Sequence, residues 1–472
     1  MKARHILLVN VFFAPFSYGG ATVVAEQVAH ALIRLTGCRI TAVSLCHRGE
    51  LAPYTVIKSE SRGIVNYLIN VPGGRRYTEM YDNPRITGII ERLMDQLEPD
   101  LVHVHCLQDM GIGALRAATK TGIPAVLSVH DFWWLCDRQF MIRPNQNYCG
   151  QSPVRIEACQ GCVEDFDAAR HRFETLRQQA QCAALVTYPS RFALGLSEAS
   201  GFGPGRGVVW ENGVMQPRPG FFRQQAARRA SDPRVAFGFV GGPSQIKGWP
   251  MVRRVFETLN ATGFRGYLAD GSLDGRWWAG HDLSRLKGEW SVHERFSQDE
   301  MDTFYSKIDV LLFMSQWKET FGLAIREAVC RGIRVIQTDS GGTTEHKAVD
   351  PRALIPIGST DHALRDQVLD ALQADPSATS LCAVTSYDDQ ARQFAELIAP
   401  LMAVKHTARR LNSGAQRPAL EHSGKNNAAR SDMLPLSSEQ KVGCVQIDQK
   451  NTRQQNRVSV AGVDAQVSAD LS

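Results

Sequence analysis

The chain has 472 residues, 43% of them apolar and 21% charged. One hydrophobic core rarely grows past about 250–300 residues, so at least two globular domains are expected. The net charge is +5, and residues 403–472 supply four of those charges through ten Lys/Arg and six Asp/Glu. The near-neutral remainder excludes a dedicated nucleic-acid binder, which needs a basic face.

No apolar run reaches the length of about 18 residues that a membrane-spanning helix requires. The apolar start lacks a small-residue cleavage site and runs straight into Gly19-Gly20, so it reads as a strand rather than a signal peptide. Eleven cysteines, an odd number, fit reduced thiols in a cytoplasm better than a disulfide scaffold.

In chain order, short apolar runs bounded by Gly, Pro or Asp read as buried parallel strands. Longer stretches with apolar spacing near 3.6 read as helices. Residues 6–12 form a predicted strand, 16–21 a loop and 22–35 a helix. Strands follow at 40–45, 101–105, 125–129 and 184–188, with a helix at 111–121. This alternation predicts a doubly wound α/β domain over residues 1–210. Residues 210–214 (Trp-Glu-Asn-Gly-Val), followed by Pro217 and Pro219, read as a linker with turn chemistry. The pattern then restarts. Strands are predicted at 235–240, 267–270, 310–314 and 335–338, and helices at 250–259, 299–307 and 320–331. This second doubly wound domain spans 211–385, and a last helix lies within 386–402. Residues 403–472 hold no Phe, Trp or Tyr and are expected to be a disordered tail.

Ligands of such sheets bind beyond the carboxyl ends of the strands. After the strand at 310–314 comes Ser315-Gln316-Trp317-Lys318-Glu319-Thr320-Phe321-Gly322-Leu323. Glu319 sits in the loop, where its carboxylate reaches the cleft. Thr320 reads as an N-cap, and the amides after it as a helix N-terminus open to a diphosphate. Glu327, two turns on, has the chemistry to accept a pair of vicinal hydroxyls. The bland alternative makes Glu319 a first-turn acid and Glu327 a surface charge.

After the strand at 235–240 comes Gly241-Gly242-Pro243-Ser244-Gln245-Ile246-Lys247-Gly248. Glycines allow close backbone approach to a phosphate, and lysine supplies a point charge. Gly341-Gly342 follows the strand at 335–338, and Gly19-Gly20 follows the first strand. His105 and His130 end two more strands and are either cleft residues or structural hydrogen-bonders.

An insertion over 132–165 carries Cys136, Cys149, Cys159 and Cys162. The Cys159-x2-Cys162 pair has metal-ligand spacing, and the other two complete the count for a structural zinc. Reduced thiols in a loop are the alternative. Trp133 and Trp134 either pack that loop or stack on an acceptor sugar.

Taken in order, these residues resemble retaining glycosyltransferases of family 4. The segment from Glu319 to Glu327 matches their E-x7-E motif. Gly332, Gly341-Gly342, Lys247-Gly248, Asn212-Gly213-Val214, Ser190-Arg191-Phe192, His103 to His105, His130 and Gly19-Gly20 fall in the family's order. The resemblance covers residues 4–402. It implies the two-Rossmann-domain fold called GT-B and a nucleotide-diphosphate sugar donor bound by the C-terminal domain. By that resemblance Glu327 holds the ribose and Glu319 the sugar hydroxyls. Lys247, Gly248 and the Thr320, Phe321, Gly322 and Leu323 stretch hold the diphosphate, with Gly19, Gly20, Gly341 and Gly342 in close approach. Glu319, His130 and Lys247 form the implied catalytic set, and 388–401 crosses back onto the N-terminal domain.

The resemblance also implies a glycan or lipid-linked acceptor, a cytoplasmic enzyme with peripheral membrane association, and transfer with retained configuration. No cofactor or metal is required for catalysis, since lysine and amides stabilise the leaving diphosphate. One departure stands out. Many relatives carry an arginine before the lysine, where this chain has Gly241-Gly242-Pro243-Ser244, and Arg191 is the candidate substitute. The alternatives are a nucleotide-sugar epimerase and a non-catalytic nucleotide- or glycan-binding protein on the same fold.

Overall fold

The computed structural model describes residues 4–376 and 381–414, with side chains to residue 403. Met1–Met402 forms one compact unit. Of the second unit, Ala403–Ser472, the described residues are the final turns of a helix.

Among the described residues, the N-terminal sheet has eight strands. They are β1 (His5–Val9), β2 (Arg39–Cys46), β3 (Val56–Ser61), β4 (Ile64–Asn70), β5 (Leu101–Val104), β6 (Ala125–Ser128), β7 (Leu185–Tyr188) and β8 (Gly207–Val209). Their order is β3-β4-β2-β1-β5-β6-β7-β8. The β3–β4 pairing is antiparallel, and the pairings of β1 with β2 and β5 are parallel. The second sheet is parallel and holds β9 (Ala236–Phe239), β10 (Arg265–Ala269), β11 (Glu289–His293), β12 (Val310–Phe313) and β13 (Arg334–Gln337). Its order is β11-β10-β9-β12-β13.

Both orders reverse direction at a central strand, β1 in one sheet and β9 in the other. The crevice beyond such a switch point is where open α/β sheets bind ligands. Gly19-Gly20 follows β1 and the Lys247 loop follows β9. Both strands are wholly buried, which is why they read as unbroken apolar runs.

Strands buried on both faces are legible in the sequence, and so is the apolar stripe of the helix Gly20–Thr36. The β3–β4 hairpin went unseen because β3 is a half-exposed edge strand with Lys58, Ser59, Glu60 and Ser61 in it. The helix Pro84–Leu97 also went unread. It is set by Asn83, whose side chain accepts from the amides of Arg85 and Ile86, and by Pro84 in the first turn.

Four expected boundaries are corrected. The strand at 6–12 is His5–Val9. The helix at 320–331 is Leu323–Val329. The helix at 299–307 is Met301–Tyr305, preceded by a 3-10 turn over Gln298–Glu300. The last helix runs Tyr387–Gly414, past the expected end at residue 402, so 403–414 is helical where disorder was expected. Residues 415–472 of that expected tail lie outside the described residues.

The helix Tyr387–Gly414 inserts Tyr387, Ala391, Phe394, Ile398 and Met402 into the core that contains Ile6, Val24, Val28 and Trp210. Trp210 Nε1 donates to the Gln390 carbonyl at 3.0 Å, and Gln390 Oε1 accepts from the Gly213 amide at 2.7 Å. A separate core of Phe237, Phe239, Trp249, Phe256 and Leu312 lies under the second sheet.

Candidate active site

The loops after β12 and β13 are joined to each other. The Glu319 amide donates to the Ser340 carbonyl at 3.0 Å, and the Gly342 amide to the Glu319 carbonyl at 2.9 Å. Gly342 is required at that point, because a Cβ there would overlap the Thr320 carbonyl. Arg326 ties the same loops from beneath. Its guanidinium donates to the carbonyls of Phe321, Thr343, Gly342 and Glu345, the last three at 2.9, 2.9 and 3.0 Å. Arg326 is 1% exposed, and burial pushes its pKa down to about 10, so it stays charged near neutrality.

Thr320 is not the N-cap. Its side chain caps no amide; its Oγ1 donates to the His130 carbonyl at 2.6 Å. Gly322, at φ 85°, turns the chain into the helix instead. Among the described residues, the amides of Phe321, Gly322 and Leu323 donate to no group within the protein. They remain available to an acceptor from outside.

Lys247 Nζ lies 2.8 Å from Glu319 Oε1, and Ser315 Oγ donates to the same oxygen. The ammonium also sits 5.5 Å from the centroid of the Trp317 ring. The expected phosphate cation and the expected sugar-hydroxyl acceptor are therefore paired with each other. Lys247 is positioned by Gly248, at φ 81°, where any Cβ would strike the Met314 carbonyl.

Glu327 lies in the helix Leu323–Val329 and is 8% exposed. Tyr305 donates its hydroxyl to Glu327 Oε2 at 2.7 Å. Burial raises the carboxyl pKa, with the Tyr305 bond and Arg331 opposing. Among the described residues, Oε1 has no partner and is not sealed from solvent.

The other sheet contributes from across the crevice. A Cβ on Gly20 would lie 3.0 Å from Leu323 Cδ1, so the two helix starts abut. Ser190 Oγ donates to the Thr320 carbonyl at 2.6 Å. Glu345 accepts from the amides of Arg191 and Phe192 at 2.9 and 2.6 Å. The Arg191 guanidinium is 79% exposed and lies 3.5 Å from Glu345. His130 touches the second domain through its carbonyl.

The structure thus brings Lys247, Glu319, Thr320, Leu323, Gly341, Gly342, Gly20 and His130 to one crevice. Sequence reasoning passed over Arg326 as a structural clamp and Tyr305 as the Glu327 partner. The signal for Arg326 was a lone charge in the otherwise apolar face of Leu323–Val329.

In the insertion, burial pushes the Cys136 thiol up to about 12, and Cys149 and Cys159 add to the shift. Cys162 in turn raises both Cys149 and Cys159. Among the described residues, no group of three or more His, Cys, Asp or Glu is gathered in a form that holds a metal ion. Trp133 and Trp134 pack the loop: they are 7% and 3% exposed and contact each other edge to face. Also among the described residues, no helix is long and apolar enough to cross a membrane.

Comparison with known proteins follows the same outline. Residues 18–215 match the model of Glycosyltransferase Family 4, and residues 284–381 that of glycosyl transferases group 1. An uncharacterized 42.6 kDa protein in the cps region of Klebsiella pneumoniae is 23% identical over 373 residues, covering 74% of this chain and 88% of that protein. The sucrose-phosphate synthase of Thermosynechococcus elongatus superposes with a TM-score of 0.55 at 15% identity, over 88% of this chain and 100% of that one. Anabaena HepE, solved in complex with UDP-glucose, gives 0.52 at 14% identity, over 87% and 99%. These neighbours share the GT-B architecture of two facing Rossmann-like domains.

Replacing Arg326 with Met leaves four buried carbonyls without their donor. Urea unfolding is expected to show a loss of about 3–5 kcal/mol. A loss under about 1 kcal/mol would show that the two loops hold their shape without the clamp.

Proposed function

The chain belongs to the GT-B glycosyltransferases of family 4, group 1, and from that premise we propose that it moves a hexose-type sugar, with retained configuration, from a nucleotide-diphosphate sugar to a glycan or lipid-linked acceptor. The observation that carries the reading is the Lys247–Glu319 pair beside three unpaired amides at the switch point of the second sheet. A relative in a cps region of Klebsiella pneumoniae supports a role in surface polysaccharide biosynthesis. HepE, solved with UDP-glucose, supports a nucleotide-sugar donor.

The chemistry is one of charge. Departure of a nucleoside diphosphate leaves negative charge on phosphate, and the anomeric carbon becomes oxocarbenium-like. Lys247 exchanges its Glu319 partner for the phosphate, and the amides of Phe321, Gly322 and Leu323 share the charge. Glu319, released from the lysine, accepts hydrogen bonds from the sugar. Glu327 Oε1 accepts from the ribose. The acceptor attacks on the face from which the diphosphate leaves, and the leaving phosphate oxygen takes the acceptor's proton. No side-chain nucleophile and no metal takes part in this scheme. Zinc in the cysteine loop stays a proposal, resting on the Cys159-x2-Cys162 ligand spacing.

A thermal-shift panel of UDP, GDP, ADP and CMP with their sugar conjugates tests the donor class. Saturation at about 100 times Kd stabilises the folded state by about 2.7 kcal/mol, so one nucleotide should raise Tm selectively. No shift with any of them contradicts the reading. A shift with no transfer to any acceptor favours a non-catalytic binder, and release of a free epimer favours the epimerase.

Glu327→Gln is expected to weaken nucleotide binding about tenfold, the effect of one lost charged hydrogen bond. Glu319→Gln should lower kcat about a hundredfold with nucleotide affinity nearly unchanged. Wild-type behaviour in both would remove the site assignment. For the insertion, elemental analysis should give about one zinc per chain, as a closed four-thiolate site holds a single ion; a sample with essentially none discards the metal.

A further inference from the structure

Two imidazoles lie just past the carboxyl ends of β5 and β6. The rings of His105 and His130 lie edge to edge, with centroids 5.2 Å apart and planes 18° from parallel. His105 Nδ1 is 2.9 Å from His130 Nε2. His105 is 1% exposed, and its Nε2 is buried without a hydrogen-bond partner among the described residues. His130 is half-buried. Its Nδ1 has no partner among the described residues and is not sealed from solvent.

Both rings are neutral near pH 7. Burial pushes His130 down to about 4. Burial, then the neighbouring His103 and His130, push His105 well below its usual value. Two neutral rings can place a proton between their facing nitrogens in only two ways. Either His105 donates from Nδ1, or His130 donates from Nε2. In the second case the proton of His105 sits on its buried Nε2 as an orphaned N–H. In the first, that atom is a bare acceptor. Buried unpaired donors are the rarer and costlier defect. His103 offers no relief, since its Nε2 is engaged with Ser128 Oγ at 2.8 Å and its ring stacks on Phe394.

We infer that His105 is a positioning residue: its Nδ1–H donates to His130 Nε2 and holds His130 as the Nδ1–H tautomer, so that His130 offers the crevice a neutral N–H donor and not a base. The use of that donor rests on the glycosyl-transfer reading above. There it suits an oxygen of the bound sugar or diphosphate, and it leaves the acceptor's proton to the leaving phosphate. The tautomer itself does not depend on that reading.

The test is long-range proton–nitrogen NMR on the full chain with 15N-labelled histidine. The chain has 13 histidines, and the His130 signals are those lost in His130→Ala. At pH 7 the wild type should show His130 with Nδ1 protonated and Nε2 bare. His105→Leu should move the proton to Nε2 and lower kcat about tenfold while nucleotide affinity is unchanged. His105→Asn places its amide nitrogen where Nδ1 lies and should keep both the ring pattern and the rate. His105→Gln, whose amide nitrogen matches Nε2, should behave like the leucine variant. A protonated Nε2 in the wild type overturns the inference, as does an unmoved His130 pattern in a folded His105→Leu. The pattern is read without substrate, so it stands or falls separately from the transfer reaction.

Discussion

The arrangement of the crevice depends on one buried charge. Arg326 takes four backbone carbonyls from two consecutive strand-end loops, after β12 and after β13. Burying a guanidinium is costly unless its donors are met. Here carbonyls meet all but Nε, which has no hydrogen-bond partner among the described residues and faces Glu211 Oε1 at 4.0 Å. Because Phe321, Gly342 and Thr343 spend their carbonyls on the arginine, both loops are fixed relative to the helix that carries Glu327. The amides of residues 321–323 are left unpaired at the surface of a rigid frame. Preorganised donors of that kind stabilise developing charge without a reorganisation cost at the moment of reaction.

That frame is also what the other sheet touches. Ser190 donates to the Thr320 carbonyl, Thr320 donates to the His130 carbonyl, and Glu345 accepts from the amides that open the helix Arg191–Ala199. Each contact joins a residue at the carboxyl end of a strand to one from the opposite sheet. The acidic Glu345 sits at a helix N-terminus, the end that favours negative charge. Closure of the crevice is therefore built from few, short, polar contacts rather than from a broad apolar face. The helix Tyr387–Gly414 supplies the apolar part, through Phe394 and its neighbours against Trp210.

How much of this could be read from the sequence follows from which forces left a local trace. Strands buried on both faces are continuous apolar runs, so β1, β9 and β12 were legible from composition alone. The edge strand β3 alternates with polar residues and carries no such mark. Lys247, Glu319 and Gly341-Gly342 were legible because chemistry placed just after a strand has few structural uses. Thr320 was misread for a physical reason. Its N-cap role is a local property of the sequence, but its actual partner, the His130 carbonyl, is 190 positions away. The same holds for Arg326 and for the His105–His130 contact, whose partners are assembled only by the fold. Local spacing reports local bonds; it is silent about carbonyls gathered from distant loops.

In the proposed reaction one crevice between the two sheets holds the donor. Backbone hydrogen exchange on the full chain, with and without the nucleotide that raises Tm, tests this most directly, because ligand contact protects the amides it covers. Protection is expected to concentrate in residues 241–248, 318–323 and 341–345, with a smaller effect around 19–20 and 130. Protection confined to the cysteine insertion, or to the β3–β4 hairpin, would contradict it.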